Sequence, residues 1–187
     1  MKGTIHYCIE EAIIKKYGEE KWHEILNACS YSNDFTFVTK IRDDIDELKS
    51  FMLFTKCAKT LKIKLSDVFD LFGEYWSCDY APELYGAFYA GISSTKNAID
   101  KLDWVHHMVT KNIPNAQPPR FDYNWINEHE VILSYKSNRG LMDLLISLIK
   151  GLNKYFNDAC RITKLTDHEL KLEFYPDIVQ TEVVNHW

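Results

Sequence analysis

"LSYKSNRG", residues 133–140, places a tyrosine, a serine and an arginine at every second position, where one apolar stretch stops and another begins. Side chains at every second position of an extended strand point to the same side of the sheet. If the strand reaches residue 137 or beyond, Tyr135, Ser137 and Arg139 offer two hydroxyls and a five-donor guanidinium on one face, which suits carboxylates. A plainer arrangement is also open, in which Ser137 caps the next helix, Tyr135 is half-buried at a strand end and Arg139 is solvated.

Segments with strand or helix patterns surround this stretch. Four short segments predict two strand pairs, "FDYNWI" (121–126) with "EVILSY" (130–135) and "ACRITKL" (159–165) with "HELKLEFY" (168–175). The apolar "GLMDLLISLIKGLNKYF" (140–156) predicts a helix between the pairs. The tail after Pro176 is expected to be a frayed end or an added strand. Residues from about 114 to 176 are therefore expected to form an α/β lobe with a small antiparallel sheet.

The chain before this lobe has a helical pattern from residue 1 to about residue 113. One face of the first helix is expected to carry Ile5, Ile9, Ala12, Ile13 and Lys16. Ser66 is expected to cap the helix "DVFDLFGEYW", and Ser93 or Ser94 the long helix that follows. We expect five or six helices here. The predicted fold is α+β, with one domain over residues 1–187 and a change of lobe near residue 114.

Composition limits the classes of partner. At 187 residues and 46% hydrophobic, the chain is long enough to bury a sizeable core. A net charge of −5 disfavours binding to nucleic acid or to an anionic membrane surface. No apolar run approaches the roughly 18 to 20 residues of a membrane span, and the first residues lack the order of a signal peptide. A cytoplasmic location is expected.

The cysteines give no sign of a disulfide framework or a metal site. They are Cys8, Cys29, Cys57, Cys78 and Cys160. Their odd number and the absence of a C-x-x-C pair predict reduced thiols. A zinc site built on Cys160 and His168 lacks a second close pair of ligands. A thiol-based redox regulator is a further alternative, but no cation adjoins Cys8, Cys29 or Cys78 in sequence to lower a thiol pKa.

The helix "TKNAIDKLDWVHHMVTKNI" (95–113) carries two adjacent histidines. Its predicted apolar stripe consists of Ile99, Leu102, Val105, Val109 and Ile113. His106 falls within this stripe, whereas His107 turns toward Asp103 and Lys111. A lone imidazole on an apolar face is either a core residue or a ligand of a metal or heme iron. The helix alone leaves both interpretations open.

An inward histidine followed about thirty residues later by Tyr-x-Ser-x-Arg resembles the heme nitric oxide/oxygen binding (H-NOX) domains, the bacterial relatives of the heme domain of soluble guanylate cyclase. Further segments fall in the family's order and spacing. These are "MKGTI" (1–5), "FGEYW" (72–76), "YAG" (89–91), "DWVHHMVTK" (103–111) and "PPR" (118–120). The resemblance extends to about residue 175, nearly the whole chain.

The resemblance implies one ferrous heme b between the two lobes. His106 would be the proximal ligand of the iron, and Tyr135, Ser137 and Arg139 would hold the two propionates. The chemistry is suitable, because a neutral imidazole ligates heme iron and charge-assisted donors neutralise carboxylates that are costly to bury. Pro119 matches the family proline that presses on the porphyrin and distorts it.

The resemblance also indicates which gas is bound. Members that hold oxygen stably have a tyrosine nine residues after the motif tyrosine, and this chain has Leu144 there. Ile9 and Trp76 stand where such members have a tryptophan and an asparagine, and Ile5 lines the same side. Without a hydroxyl donor, oxygen loses about 1.5 to 3 kcal/mol of stabilisation, whereas nitric oxide binds ferrous heme tightly without one. An apolar pocket selective for nitric oxide, and open to CO, is therefore expected.

Two alternatives use a heme differently. If the Trp76 indole or a hydroxyl of Tyr75 or Tyr7 turns inward, the protein would be an oxygen sensor or carrier. A heme enzyme such as a peroxidase needs a distal acid–base residue. The only nearby candidate is His6, which is expected to face outward beside Tyr7.

The function implied by the resemblance is therefore a sensor and not an enzyme. Nitric oxide would bind opposite His106 and weaken or break the bond between iron and histidine, the heme would flatten against Pro119, and the lobes would rotate. Since the chain contains no kinase or cyclase segment, the output is expected to pass to a separate protein, a histidine kinase or a cyclic-di-GMP enzyme.

Overall fold

The structure is a computed structural model that describes residues 1–137 and 139–175. Within these ranges the helices are α1 Gly3–Tyr17, α2 Glu19–Ala28, α3 Glu47–Leu61, α4 Leu65–Tyr75, α5 Ala81–Leu84, α6 Gly86–Tyr89, α7 Thr95–Thr110 and α8 Met142–Phe156. The strands are β1 Arg120–Asn127, β2 Glu130–Lys136, β3 Cys160–Lys164 and β4 Glu169–Phe174. A 3-10 helix spans Phe37–Lys40, and a π-helical turn spans Trp76–Tyr80. The predicted α+β class is confirmed. Over the described residues no helix is both long enough and apolar enough to cross a membrane.

Local hydrogen bonds explain where several helices begin. The Asp46 carboxylate accepts hydrogen bonds from the first turn of α3, and the Ser94 hydroxyl accepts one from Asn97 N at 3.1 Å at the start of α7. The Ser94 cap was among the sequence predictions. The Ser66 cap was wrong, because α4 begins at Leu65 and places Ser66 inside the first turn. There the Asp67 carboxylate accepts from Lys64 N at 2.9 Å instead.

The four strands form one antiparallel sheet in the order β1-β2-β4-β3. Alternate residues of β2 and β4 are buried on one face, including Tyr135 at the end of β2. β2 stops at Lys136, which pairs with Arg120, the first residue of β1. β1 begins directly after Pro119, which has no N–H to extend the ladder. The strand therefore does not reach residue 137, which was the condition for Tyr135, Ser137 and Arg139 to share one face. The predicted tail after Pro176 lies outside the described residues.

The apolar side chains gather in two cores. The first lies among α1 to α4, and the second lies between the sheet, α7 and α8. α8 joins them, because Leu144 belongs to the first core whereas Leu145 and Ile149 belong to the second. α8 also packs closely on α4 where Gly73 and Gly151 meet. The second core includes Ile99 of α7, so residues before the expected change of lobe near residue 114 also contribute to it.

Candidate functional site

A cavity of about 300 Å³ lies between the two cores. Much of its wall is apolar and comes from α1, α7 and α8. These residues include Ile5, Leu102, Val105, Val109, Leu148 and Leu152. Polar groups are few, which is typical of sites that hold an apolar ligand and orient it by a small number of polar contacts.

His106 lines this cavity from α7, as the helical period predicted, whereas His107 is exposed. Its imidazole packs on the Phe121 ring, with centroids 5.5 Å apart and planes 30° apart. Nδ1 is buried with no hydrogen-bond partner among the described residues, which leaves Nε2 as the nitrogen available to the cavity. Burial lowers the pKa of His106 to about 4, with the Asp103 carboxylate opposing the shift and Arg120 adding to it. The ring is therefore neutral at pH 7 and can act as a ligand.

Arg139 is the one member of the predicted Tyr135, Ser137 and Arg139 set that lines the cavity. Its Nε lies 3.1 Å from Glu47 Oε1, at the start of α3. Lys2 lines the same cavity and is held by Asp44, 2.8 Å from its Nζ, and by the carbonyl oxygen of Pro114 at 3.0 Å. Among the described residues, these two cationic side chains border the cavity, and each is paired with a carboxylate.

Tyr135 and Ser137 do not line the cavity. The Tyr135 side chain is buried on the core face of the sheet, 5.9 Å from Phe121 between ring centroids. The Ser137 hydroxyl accepts a hydrogen bond from Arg139 N at 3.4 Å and does not cap α8, whose N-cap is Leu141. Their predicted role at the propionates stays a prediction.

The remaining predicted site residues divide into two groups. Ile5, Trp76 and Pro119 line the cavity. Ile9 and Leu144 are buried in the helical core and do not reach the cavity wall. Trp76 opens the π-helical turn, a local widening of the helix that often occurs at functional sites. Its ring stacks on Phe72 with centroids 5.7 Å apart.

Sequence reasoning missed two tyrosines of the cavity, Tyr85 and Tyr89. The Tyr89 hydroxyl donates to the carbonyl oxygen of Ser77 at 3.4 Å. Burial raises the pKa of Tyr85, so its phenol keeps its proton. The resemblance had drawn attention to "YAG", which contains Tyr89, but no periodic pattern predicts where either side chain points. Tyr75 and Tyr7, the other candidate hydroxyl donors, do not line the cavity.

His6 was expected to face outward, and this expectation was wrong. Only 1% of its surface is exposed, and its ring lies 5.0 Å from Phe37 between centroids. Burial lowers its pKa to about 4. His6 packs against the 3-10 helix and does not line the cavity, so it supplies no acid–base group there.

The cysteines of the described ranges are unpaired. Burial raises the pKa of the Cys8 and Cys57 thiols, and raises that of Cys160 to about 12. These thiols are therefore protonated near neutral pH, which disfavours nucleophilic redox chemistry. Among the residues that the structure describes, no three His, Cys, Asp or Glu side chains are grouped as a metal site.

Comparisons with known proteins agree with this architecture. The chain is 24% identical to soluble guanylate cyclase gcy-37 of Caenorhabditis elegans over 157 residues, which are 81% of this chain and 21% of that protein. It is also 24% identical to soluble guanylate cyclase gcy-34 of the same organism over 160 residues, 82% of this chain and 23% of the relative. The chain thus spans about a fifth of the length of these relatives.

Solved structures share the fold. An oxygen-binding H-NOX domain related to soluble guanylate cyclases, solved as its oxygen complex, aligns with a TM-score of 0.78 at 22% identity and covers 93% of this chain and 95% of its own. An H-NOX protein from S. oneidensis in the Fe(II)NO ligation state gives a TM-score of 0.80 at 20% identity, over 94% of this chain and 99% of its own. The model of the Haem-NO-binding family matches residues 2–164. The chain therefore belongs to the Haem-NO-binding, or H-NOX, family.

Proposed function

We propose that this chain is a heme-based sensor of nitric oxide, with His106 as the axial ligand of a ferrous heme b. The observation that carries the proposal is a neutral imidazole at the wall of an apolar cavity, whose Nδ1 has no partner among the described residues. In a neutral imidazole one ring nitrogen carries the proton and the other is free to bind a metal, and at this cavity the available nitrogen is Nε2. When bound, the heme would supply an iron that takes a diatomic gas.

The other cavity residues suit the same group. The apolar wall would accommodate the porphyrin faces, and Pro119 would press on one of them. Arg139 would pair with a propionate, since a guanidinium matches a carboxylate. Lys2, which lines the cavity as well, is a second cation available for this purpose. The propionate roles of Tyr135 and Ser137 are proposed from the family resemblance, since neither side chain lines the cavity.

Nitric oxide is the gas that the cavity favours. Ile5 is apolar, and Leu144, at the position of the tyrosine of oxygen-holding members, is a core residue. Bound oxygen needs a donor, whereas nitric oxide does not. Oxygen binding is a second candidate function, because the Tyr85 phenol and the Trp76 indole both line the cavity.

The signal would leave the site through α7. This helix carries His106 and packs on both α8 and β1. α8 in turn contributes to both cores. Release of His106 would therefore change how the two lobes pack. Pro119 directly precedes β1, one of the elements on which α7 packs. The proposed recipient is a separate effector, a histidine kinase or a cyclic-di-GMP enzyme, and the domain itself would not be catalytic.

Replacing His106 tests the proposal directly. His106→Gly protein, expressed with added hemin, is expected to lose the heme absorption band of the wild type and to recover it when free imidazole is supplied. His107→Gly is the matched control, because this neighbouring histidine is exposed. If His106→Gly protein holds heme as well as the wild type without imidazole, the assignment is wrong.

A further inference from the structure

The carboxylate of Asp103 joins α7 to the start of β1. Its Oδ2 lies 2.5 Å from Arg120 Nη2, and its Oδ1 accepts a hydrogen bond from Phe121 N at 3.0 Å. The backbone N–H of Asp103 also donates to the Tyr123 hydroxyl at 3.2 Å. The side chain of Asp103 is 23% exposed, so its ion pair is partly shielded from water. These contacts fix three residues of β1 against one turn of the helix.

That turn is the one next to His106. Asp103 precedes His106 by three residues, so the two side chains are neighbours on the helix surface. Phe121, whose N–H is held by Asp103, places its ring against the imidazole of His106. The carboxylate thus anchors the backbone of the residue that packs on the candidate ligand.

Packing must orient this imidazole. A metal-binding histidine commonly donates its second ring N–H to a carboxylate or a carbonyl, which fixes the plane of the ring. In the described part of the chain, His106 Nδ1 has no such partner. The Phe121 ring, 5.5 Å away and inclined by 30°, is the group that lies against the imidazole plane.

We infer that Phe121 and Asp103 are positioning residues for His106, and that they fix the imidazole plane by ring packing in place of the usual second-nitrogen hydrogen bond. The inference rests on the proposed function, because it assumes that His106 binds iron. It assigns Arg120 a role as well: the guanidinium holds the Asp103 carboxylate toward β1. Loss of any of the three would leave the imidazole bound but free to rotate.

Resonance Raman spectroscopy of the unliganded ferrous protein reports on this directly, through the stretching band of the bond between iron and histidine. Phe121→Leu and Asp103→Asn proteins are expected to bind heme but to show a broadened band at lower frequency. Arg120→Gln should show the same change, and Arg120→Lys, which keeps a cation, should restore much of the wild-type band. Asp122→Asn is the matched control, because Asp122 lies next to Phe121 on β1 and forms an exposed ion pair with Lys136 of β2.

The heme-free protein provides a second readout. Amide hydrogen exchange at the junction of α7 and β1 is expected to be about tenfold faster in Asp103→Asn than in wild type, as for the loss of one charge-assisted hydrogen bond. Bands unchanged from wild type in heme-loaded Phe121→Leu and Asp103→Asn would overturn the inference. Absence of any iron–histidine band in wild type would instead overturn the proposed function.

Discussion

The Arg139 Nε atom lies 3.1 Å from Glu47 Oε1, an ion pair that joins the loop after β2 to the first residue of α3. The same carboxylate oxygen accepts a hydrogen bond from the Met1 amine at 2.9 Å. Arg139 is the predicted propionate partner that lines the cavity. A propionate would therefore have to compete with Glu47 for the guanidinium.

Glu47→Gln is accordingly expected to tighten hemin binding. Removing the competing carboxylate frees the Arg139 guanidinium, and a partly exposed ion pair of this kind is worth about 0.2 to 1 kcal/mol, so the affinity should rise by a factor of about 1.4 to 5. Transfer of hemin from the protein to an excess of apomyoglobin measures the effect. Asp43→Asn, which removes an exposed ion pair with Lys40 elsewhere in the same lobe, is the control. Equal transfer rates in Glu47→Gln and wild type would refute the competition.

Gly151→Ala is expected to lower the free energy of unfolding by about 1 to 3 kcal/mol or more. A Cβ atom at this position would overlap the carbonyl oxygen of Gly73 across the α4–α8 contact, and neither backbone can retreat cheaply. Urea denaturation followed by circular dichroism measures the loss. Gly86→Ala is the matched control, because nothing lies within 4 Å of its added methyl group. Equal midpoints for the two variants would show that the helices can separate without cost.

His6 should make the protein less stable in mild acid. Burial lowers its pKa from 6.5 to about 4, so the unfolded chain binds more protons than the folded one between these values. The contribution of neutral His6 to the free energy of unfolding is therefore fully present above pH 6.5. It is lost as the pH falls toward 4, and the loss is on the order of 3 kcal/mol. His6→Leu is expected to have a shallower dependence of unfolding free energy on pH over this window.

The control for His6 is His129→Gln, which removes an exposed histidine and should leave the slope unchanged. His106 is also buried and contributes to the slope in the same direction in heme-free protein. The slope of His6→Leu should therefore decrease without vanishing. An identical slope in His6→Leu and wild type would mean that His6 is not buried in solution.

The sequence predicted those features that depend on periodicity. The inward direction of His106 follows from the helical repeat of α7, and the strand pairs follow from apolar alternation. The positions of His6 and Arg139 depend instead on irregular segments. His6 is covered by the 3-10 helix at Phe37, and Arg139 lies beyond the end of a strand that stops because Pro119 precedes its partner. Neither segment has a repeat that would reveal its neighbours.

The same limit applies to the distal pocket. Position in sequence suggested Ile9 and Leu144, but the packing of α1 and α8 in the helical core places both behind the cavity wall. Tyr85 lines the cavity because two short helices, α5 and α6, meet at this residue. Such contacts are decided by how the elements pack and cannot be inferred from one helix at a time.

The reduced protein is expected to bind nitric oxide in preference to oxygen. Without a donor to bound oxygen, the reduced protein is expected to show no stable oxygen-bound spectrum in air, while nitric oxide binds it tightly. Tyr85→Phe should then leave nitric oxide affinity within about twofold of wild type, since that gas needs no hydroxyl donor. A stable oxygen spectrum in wild type would contradict the assignment. Its loss in Tyr85→Phe or in Trp76→Phe would name the donor, because one charge-assisted hydrogen bond is worth about 1.5 to 3 kcal/mol, or at least tenfold in oxygen affinity.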